Sequence, residues 1–286
     1  MGEGDRVGPA GGGPAGARPA AAGLPGDGPA GAPLFRGVGV ALLTFFTDSG
    51  ALAPEASAEH AARLVEAGIA AVLVSGTTGE PFTLEDDERL ALLDAVRAAV
   101  PPGSAVPVLV GTGAPSARQA DRLTRAACDH GADAVLALSP PRATDPRPYY
   151  DAVAKAAAGV PVLAYHFPLA SAPGITVDEL LDLPVAGCKD SSGDATRLIE
   201  ELGRFRGSLW VGSPSLVLLA AAMGGAGAIL ALANALPERC LAALAGDVAA
   251  QAELAGAHLV TSGRFPAALK ELTARRYGTP ATARLG

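Results

Sequence analysis

The sequence has only three cysteines, and their spacing indicates neither a disulfide nor a metal-binding pair. Cys128, Cys188 and Cys240 are odd in number and far apart, with no CxxC pair and no histidine at the spacing of a zinc site. This pattern favours a reducing compartment over a disulfide scaffold. We therefore expect a cytoplasmic protein without a metal site.

The sequence also lacks the features of nucleic-acid-binding and membrane proteins. Its 22 Lys and Arg residues against 29 Asp and Glu give a formal net charge of -7, and no basic cluster is present. We therefore expect a small-molecule partner and no nucleic acid. No apolar run approaches the roughly 18 residues needed to cross a bilayer. The first residues lack the basic and apolar regions of a signal peptide, so we expect neither membrane insertion nor export.

Lysine is scarce, because only Lys155, Lys189 and Lys270 among the 22 basic residues are lysines. Lys189 lies in "VAGCKDSSGD" (185–194), which has the pattern of a buried strand followed by a polar turn. Burial disfavours a charged amine, and a free amine can attack a carbonyl, which a guanidinium cannot do. The alternative is a lysine that extends to solvent or pairs with Asp190. The scarcity of lysine elsewhere favours the chemical interpretation.

The chain divides into a tail, a barrel and an extension. Residues 1–36 are almost wholly Gly, Pro and Ala, which predicts a disordered tail. From Gly37 onward, continuously apolar runs alternate with stretches of helical period, as in a parallel sheet buried on both faces. Eight such units predict a (β/α)8 TIM barrel over 37–236 with a C-terminal helical extension over 237–286, and a doubly wound open sheet is the alternative. The predicted strands are 38–46, 70–76, 107–113, 134–140, 161–167, 185–191, 208–214 and 227–234.

Reactive residues of a parallel barrel follow the carboxyl ends of its strands. Three polar segments occupy such positions: "SGTTGE" (75–80), "YHFP" (165–168) and "KDSSGD" (189–194). Tyr165 is either a core aromatic or, because it lies on the strand next to Lys189, a proton relay. The hydroxyls and backbone amides of "GTTGE" are suited to binding a carboxylate.

Together these segments resemble the family of dihydrodipicolinate synthase and N-acetylneuraminate lyase, the pyruvate-dependent Schiff-base lyases. "GTTGE" and "GCKDSSGD" match two signature blocks, and "GAILALANALP" (227–237) matches a third. The resemblance extends from about Gly37 to "KELTARRYG" (270–278). It implies a class I aldolase that forms a lysine imine with a 2-oxo acid and makes or breaks a carbon–carbon bond to an aldehyde. It also implies that no metal or organic cofactor is needed, and that the chain forms a homo-oligomer, either a dimer or a tetramer.

The resemblance implies a role for each matching residue. Lys189 forms the imine, Tyr165 transfers protons, and Thr77 hydrogen-bonds the tyrosine hydroxyl. Thr78, with the backbone of Gly76 and Gly79, holds the substrate carboxylate. Ile229 contributes a backbone carbonyl near the reacting carbon.

Several positions depart from the family pattern. "TFF" (44–46) replaces "TPF", and "PPR" (140–142) replaces "PYY", so Arg142 stands where the synthases lend a tyrosine across the dimer interface. "LASAPG" (169–174) lacks the arginine that binds aspartate semialdehyde in the synthases. His166 replaces an asparagine and is either a second-substrate contact or a satisfied structural imidazole. Arg142 is either a contact for an acidic aldehyde or an exposed loop residue.

Three functions follow as hypotheses. The leading one is a pyruvate-type class I aldolase whose aldehyde partner is unassigned. The second is dihydrodipicolinate synthase itself, for which the departures predict weak turnover. The third is a non-catalytic regulator that binds a 2-oxo acid on the same barrel. The presence of Lys189, Tyr165 and Thr77 argues against the regulator.

Overall fold

A closed barrel of eight parallel strands forms the body of the protein. The computed structural model describes residues 1–2, 32–100 and 104–285. Neighbouring strands pair in chain order, and the first pairs with the last. This arrangement confirms the predicted (β/α)8 barrel and excludes the open sheet. The strands are β1 (Gly37–Ala41), β2 (Ala71–Val74), β3 (Val108–Gly111), β4 (Ala134–Leu138), β5 (Val162–His166), β6 (Gly187–Asp190), β7 (Ser208–Val211) and β8 (Gly227–Leu230).

Helices connect the strands and continue beyond the barrel. Within the described residues the α-helices are α1 (Pro54–Glu66), α2 (Asp86–Ala99), α3 (Ala117–Asp129), α4 (Arg147–Ala157), α5 (Val177–Asp182), α6 (Ala195–Arg204), α7 (Val217–Ala222), α8 (Pro237–Leu244), α9 (Val248–Ser262) and α10 (Ala267–Tyr277). Helix α8 packs against β1 and β8. Helix α8 thus lies against the barrel, and the predicted division at residue 237 stays a prediction.

Both faces of the strands are buried, which accounts for their unbroken apolar sequences. In β2, Val72 and Val74 pack under the surrounding helices, whereas Leu73 faces the barrel interior. Successive side chains of a strand point to opposite faces. The inward set also contains Tyr165, and by alternation Lys189 on β6 belongs to it.

The part of β1 that is hydrogen-bonded to its neighbours ends before the apolar sequence ends. The predicted strand continues to residue 46, but β1 ends at Ala41. Leu42, Phe45 and Phe46 stay buried after the strand ends. An apolar pattern reports burial, so it does not separate a strand from the buried segment that follows.

Two stacked aromatic rings lie in the barrel interior. Residues 3–31 of the predicted tail lie outside the described residues. Phe35 is only 6% exposed, and its ring stacks on that of Trp210 with 4.9 Å between centroids. Phe35 is thus part of the packed interior, and the predicted boundary between tail and barrel at residue 36 stays a prediction.

The longest described helix is α9, which has 15 residues. None of the described helices combines the length and the apolar character that crossing a membrane requires.

Candidate active site

The structure brings Lys189 and Tyr165 together on the inward face of neighbouring strands. The two residues are directly opposite in the β5–β6 ladder. Lys189 Nζ lies 4.4 Å from the centroid of the Tyr165 ring, and both side chains are buried. The ring of Tyr165 stacks in turn on Phe167, with 5.8 Å between centroids. The amine is thus held against an aromatic face inside the barrel, beside a phenol that can exchange protons.

Gly212, directly after β7, makes room for the lysine. A Cβ atom at this position would lie 3.0 Å from Lys189 Cε and would overlap Ser191 Oγ. Any larger residue would displace the aliphatic part of the Lys189 side chain or the turn at Ser191 that follows β6. Sequence reasoning missed this role, although the glycine stands in "GSPS" (212–215), one of the segments that follow a strand end.

The segment after β2 forms a tight turn over the end of β1. Thr77–Gly79 is a single turn of 3-10 helix, and the flanking residues Ser75 and Glu80 have φ of 52° and 54°. Left-handed backbone at two non-glycine residues costs energy and is concentrated at functional turns. A Cβ on Gly79 would lie 2.8 Å from Thr44 Oγ1. The turn is therefore packed tightly against the carboxyl end of β1.

The remaining inward residues of the predicted site lie around the same barrel mouth. Ile229 is on the interior face of β8, opposite Gly39 of β1. Thr78 is buried and Thr77 is half-buried. The hydrogen bonds found among the described residues do not join Thr77 to Tyr165. The bond that the resemblance implies between them stays a prediction.

His166 and Asp190 lie on the outer face, because each follows an inward residue of its strand. His166 Nδ1 accepts a hydrogen bond from Ile175 N at 3.0 Å. Burial, with a further contribution from Arg197, lowers the pKa of His166 to about 4, against a smaller opposing effect of Asp190. Of the two predicted roles of His166, this geometry favours the structural one, a neutral imidazole that hydrogen-bonds the backbone of the loop after β5, over a contact with the second substrate.

One guanidinium binds two carboxylates behind β6. Arg197 Nε lies 3.0 Å from Asp190 Oδ2, and Arg197 Nη2 lies 2.6 Å from Glu201 Oε1. Asp190 Oδ1 also accepts a hydrogen bond from Ser192 N at 2.6 Å. Asp190 is thus engaged on the outer face, which corrects the alternative in which it pairs with Lys189.

Glu201 is the less satisfied carboxylate of that cluster. Its approach to Arg197 is close but lacks hydrogen-bond geometry, so both of its oxygens are buried without a hydrogen-bond partner. Burial, followed by the negative charge of Asp190, raises the pKa of Glu201 to about 8. Burial also raises the pKa of the Cys188 thiol on the same face of β6 well above its usual value.

Arg142 lies in the loop after β4, at the rim of the barrel. Its side chain is exposed, its φ is 64°, and its backbone N donates to Ala172 O at 2.7 Å. The loops after β4 and β5 are thereby joined. An exposed guanidinium at this rim is compatible with both predicted roles for Arg142.

The described His, Cys, Asp and Glu side chains form no group of three or more that could hold a metal ion. The three cysteines are free thiols.

Comparisons with known proteins agree on one family. The sequence matches the dihydrodipicolinate synthetase family over residues 34–260. A 4-hydroxy-tetrahydrodipicolinate synthase from Natronomonas pharaonis is 34% identical over 235 residues, covering 77% of this chain and 79% of that protein. A "Probable 4-hydroxy-2-oxoglutarate aldolase, mitochondrial" from Emericella nidulans is 33% identical over 231 residues, covering 73% of this chain and 72% of that protein. The crystal structure of dihydrodipicolinate synthase from Aquifex aeolicus has a TM-score of 0.75 at 27% identity, covering 88% of this chain and 91% of that one.

Proposed function

Because the chain belongs to the dihydrodipicolinate synthetase family, we propose that Lys189 forms an imine with a 2-oxo acid such as pyruvate. The protein is a lyase of the Schiff-base aldolase type. One observation carries the assignment of Lys189: its amine is inside the barrel over the Tyr165 ring, and no described carboxylate lies within ion-pair distance of it. Among the described residues the amine therefore has no ion pair that would account for it as a structural lysine.

The chemistry needs only an amine and a proton carrier. The free amine attacks the keto carbon, and loss of water from the carbinolamine gives a protonated imine. The imine withdraws electrons, so C3 loses a proton and becomes an enamine, which adds to the aldehyde carbon. Hydrolysis of the new imine restores the amine and releases the product. Tyr165, in contact with Lys189, donates and accepts the protons of these steps.

The turn at residues 76–79 binds the substrate carboxylate in this proposal. A tight turn of this kind can form an anion-binding concavity, although Gly79 N already donates to Gly76 O at 2.9 Å. The hydroxyl of Thr78 and the backbone of Gly76 and Gly79 supply the contacts. Thr77 orients the Tyr165 hydroxyl, and the carbonyl of Ile229 lies near the reacting carbon.

Reductive trapping tests the assignment directly. Borohydride added with pyruvate should attach one reduced pyruvyl group to the protein, and peptide mapping should locate it at Lys189. The Lys189→Arg variant should fold and carry no adduct, because a guanidinium does not form the imine. A wild-type protein that stays unmodified at saturating pyruvate would instead support the regulator.

The aldehyde partner is the second question. The relatives named as synthases point to aspartate semialdehyde, the aldehyde that the family resemblance implies for a synthase. The relative named as a 4-hydroxy-2-oxoglutarate aldolase points to glyoxylate, because cleavage of 4-hydroxy-2-oxoglutarate gives pyruvate and glyoxylate. Arg142 at the rim is suited to an acidic aldehyde. We expect slow turnover with aspartate semialdehyde, faster turnover with glyoxylate than with a neutral aldehyde of similar size, and loss of the preference for glyoxylate in Arg142→Gln. Equal rates for neutral and acidic aldehydes would leave Arg142 as an exposed loop residue.

The proposal extends to cofactor, assembly and location. Imine chemistry needs neither metal nor organic cofactor, so turnover should survive dialysis against a chelator. We also propose a homo-oligomer, dimer or tetramer, in the cytoplasm. Sedimentation of the purified protein measures the assembly.

A further inference from the structure

A C-terminal segment reaches back to the carboxylate-binding turn. Residues 279–285, here called the strap, follow α10 and end beside Glu80. The backbone N atoms of Arg284 and Leu285 donate to Glu80 Oε2 at 2.8 and 2.7 Å. Lys270 on α10 donates to Glu80 Oε1 at 2.5 Å and to Thr282 O of the strap at 2.8 Å. Both oxygens of one carboxylate are therefore bound by the extension.

This carboxylate is anchored in the interior. The side chains of Glu80 and Lys270 are each 0% exposed. A buried charge is tolerated only when it is paired and hydrogen-bonded, so loss of a partner is costly. The contacts of Glu80 thus define one position for its side chain.

Glu80 transmits that position to the turn because it directly follows Gly79. Its left-handed backbone closes the turn, with its N atom donating to Thr77 O at 3.3 Å. Its own carbonyl accepts a hydrogen bond from Thr83 Oγ1 at 2.9 Å. The backbone of residues 76–79 therefore cannot move independently of the Glu80 side chain.

Arg284 fastens the strap to the elements around the turn. Its guanidinium donates to Glu88 at 2.5 Å on the first turn of α2, to Thr83 O at 2.7 Å and to Gly50 O at 2.8 Å. It also lies over the ring of Phe46, 4.3 Å from the centroid. Arg284 of the strap thus contacts the segment after β1, the segment after the 76–79 turn, and α2.

We propose that Glu80, Lys270 and Arg284 are positioning residues that set the 76–79 turn for binding the substrate carboxylate. The inference rests on the proposed function of the turn. None of the three contacts the substrate, and they act through the backbone conformation that Glu80 fixes. A displacement of about 1 Å in a binding group can lower reactivity by as much as a hundredfold. Loss of the strap should therefore weaken the binding of 2-oxo acids while leaving the amine of Lys189 competent.

Trapping with borohydride at graded pyruvate concentrations tests this inference. The variants are Arg284→Ala and a chain ending at Gly278, and the matched control is Arg264→Ala, which breaks an exposed ion pair with Glu271 in the same extension. We expect the half-saturating pyruvate concentration to rise about tenfold or more in the first two, the scale of a lost contact to a charged group. The labelling rate at saturation should stay within about threefold, and the control should match wild type.

A second ligand separates positioning from general loosening. Pyruvamide has the same carbonyl but no carboxylate, so its trapping at Lys189 should not distinguish Arg284→Ala from wild type. An unchanged half-saturation for pyruvate in Arg284→Ala, or an equal loss for pyruvamide, would overturn the inference. If the shortened chain does not fold, Arg284→Ala decides alone. Absence of any wild-type adduct would instead refute the proposed function of Lys189.

Discussion

The barrel mouth and the C-terminal extension each bury a lysine, and the two lysines have opposite surroundings. Lys189 is 4% exposed and Lys270 is 0% exposed. Each Nζ lies over an aromatic ring, 4.4 Å from the centroid of Tyr165 and 4.3 Å from that of Phe46. Burial and ring contact therefore do not separate a reactive lysine from a structural one.

The difference lies in the hydrogen-bond partners. Lys270 donates to the carboxylate of Glu80 and to Thr282 O. Its burial lowers the pKa of Lys270, and the bond to Glu80 acts in the opposite direction. For Lys189, the acidic neighbour in sequence is Asp190, which strand alternation directs to the outer face and Arg197 engages there. A lysine without a carboxylate partner at a strand end is the one suited to chemistry.

The largest expected effect comes from replacing the barrel lysine. Lys189→Met should lower turnover by about a thousandfold or more, because no other group can form the imine. The midpoint of thermal unfolding should remain near that of wild type, since no ion pair is lost. Steady-state assays and calorimetry measure the two quantities. Appreciable turnover in this variant would mean that Lys189 is not the nucleophile.

Replacing Lys270 of the extension by methionine should lower the stability of the protein instead of abolishing imine formation. Lys270→Met leaves Glu80 buried without its cation, so the free energy of unfolding should fall by about 3–5 kcal/mol. Urea denaturation measures the loss. The double variant Lys270→Met with Glu80→Gln removes the unpaired charge and should recover part of it. Saturating pyruvate with borohydride should still label Lys189 in both variants, and loss of labelling at saturation would contradict the distinction between the two lysines.

Tyr165→Phe probes the ring contact of Lys189 without removing the ring. The phenyl group still packs against the amine, but the proton carrier is lost, so kcat should fall about a hundredfold. The half-saturating pyruvate concentration in the trapping experiment should change much less. Equal turnover in the two proteins would remove the proton-transfer role from Tyr165.

The smallest effect concerns the carboxylates behind Lys189. The pKa of Glu201 is raised to about 8, so the folded protein keeps a proton that the unfolded chain releases at lower pH. Stability from this group is full below pH about 4.5 and declines as pH rises toward 8, by at most about 1.4 kcal/mol per pH unit. Glu201→Gln should flatten the unfolding free energy between pH 6 and 8, whereas an unchanged slope would show that Glu201 does not carry the proton.

The sequence contains most of the barrel and part of the site. Strands buried on both faces are continuously apolar, so the eight units and the adjacency of Tyr165 and Lys189 follow from the pattern. The outward direction of His166 was also available, because it follows the inward Tyr165 and side chains alternate along a strand. The end of β1 could not be predicted from the sequence, since buried apolar residues continue past the last paired residue of the strand.

The partner of Lys270 could not be found from local pattern. It lies 190 positions away in Glu80, and nothing near either residue indicates the other. Scarcity singled out Lys270 as much as Lys189, and only the three-dimensional contacts assign the two lysines to different tasks. Gly212 is a similar case. Only a residue without a side chain fits there, because Lys189 on the adjacent strand and Ser191 after it fill the space that a Cβ atom would need.

The stacked rings of Phe35 and Trp210 lie in the barrel interior, and Trp210 pairs with Lys189 in the β6–β7 ladder. In the proposed reaction both reactants reach the amine from the carboxyl ends of the strands, where the 76–79 turn lies. In that reaction the keto acid reacts first, because only its imine gives the enamine that adds to the aldehyde. Steady-state kinetics should accordingly show a compulsory order of addition, with excess aldehyde acting as an inhibitor that competes with the keto acid.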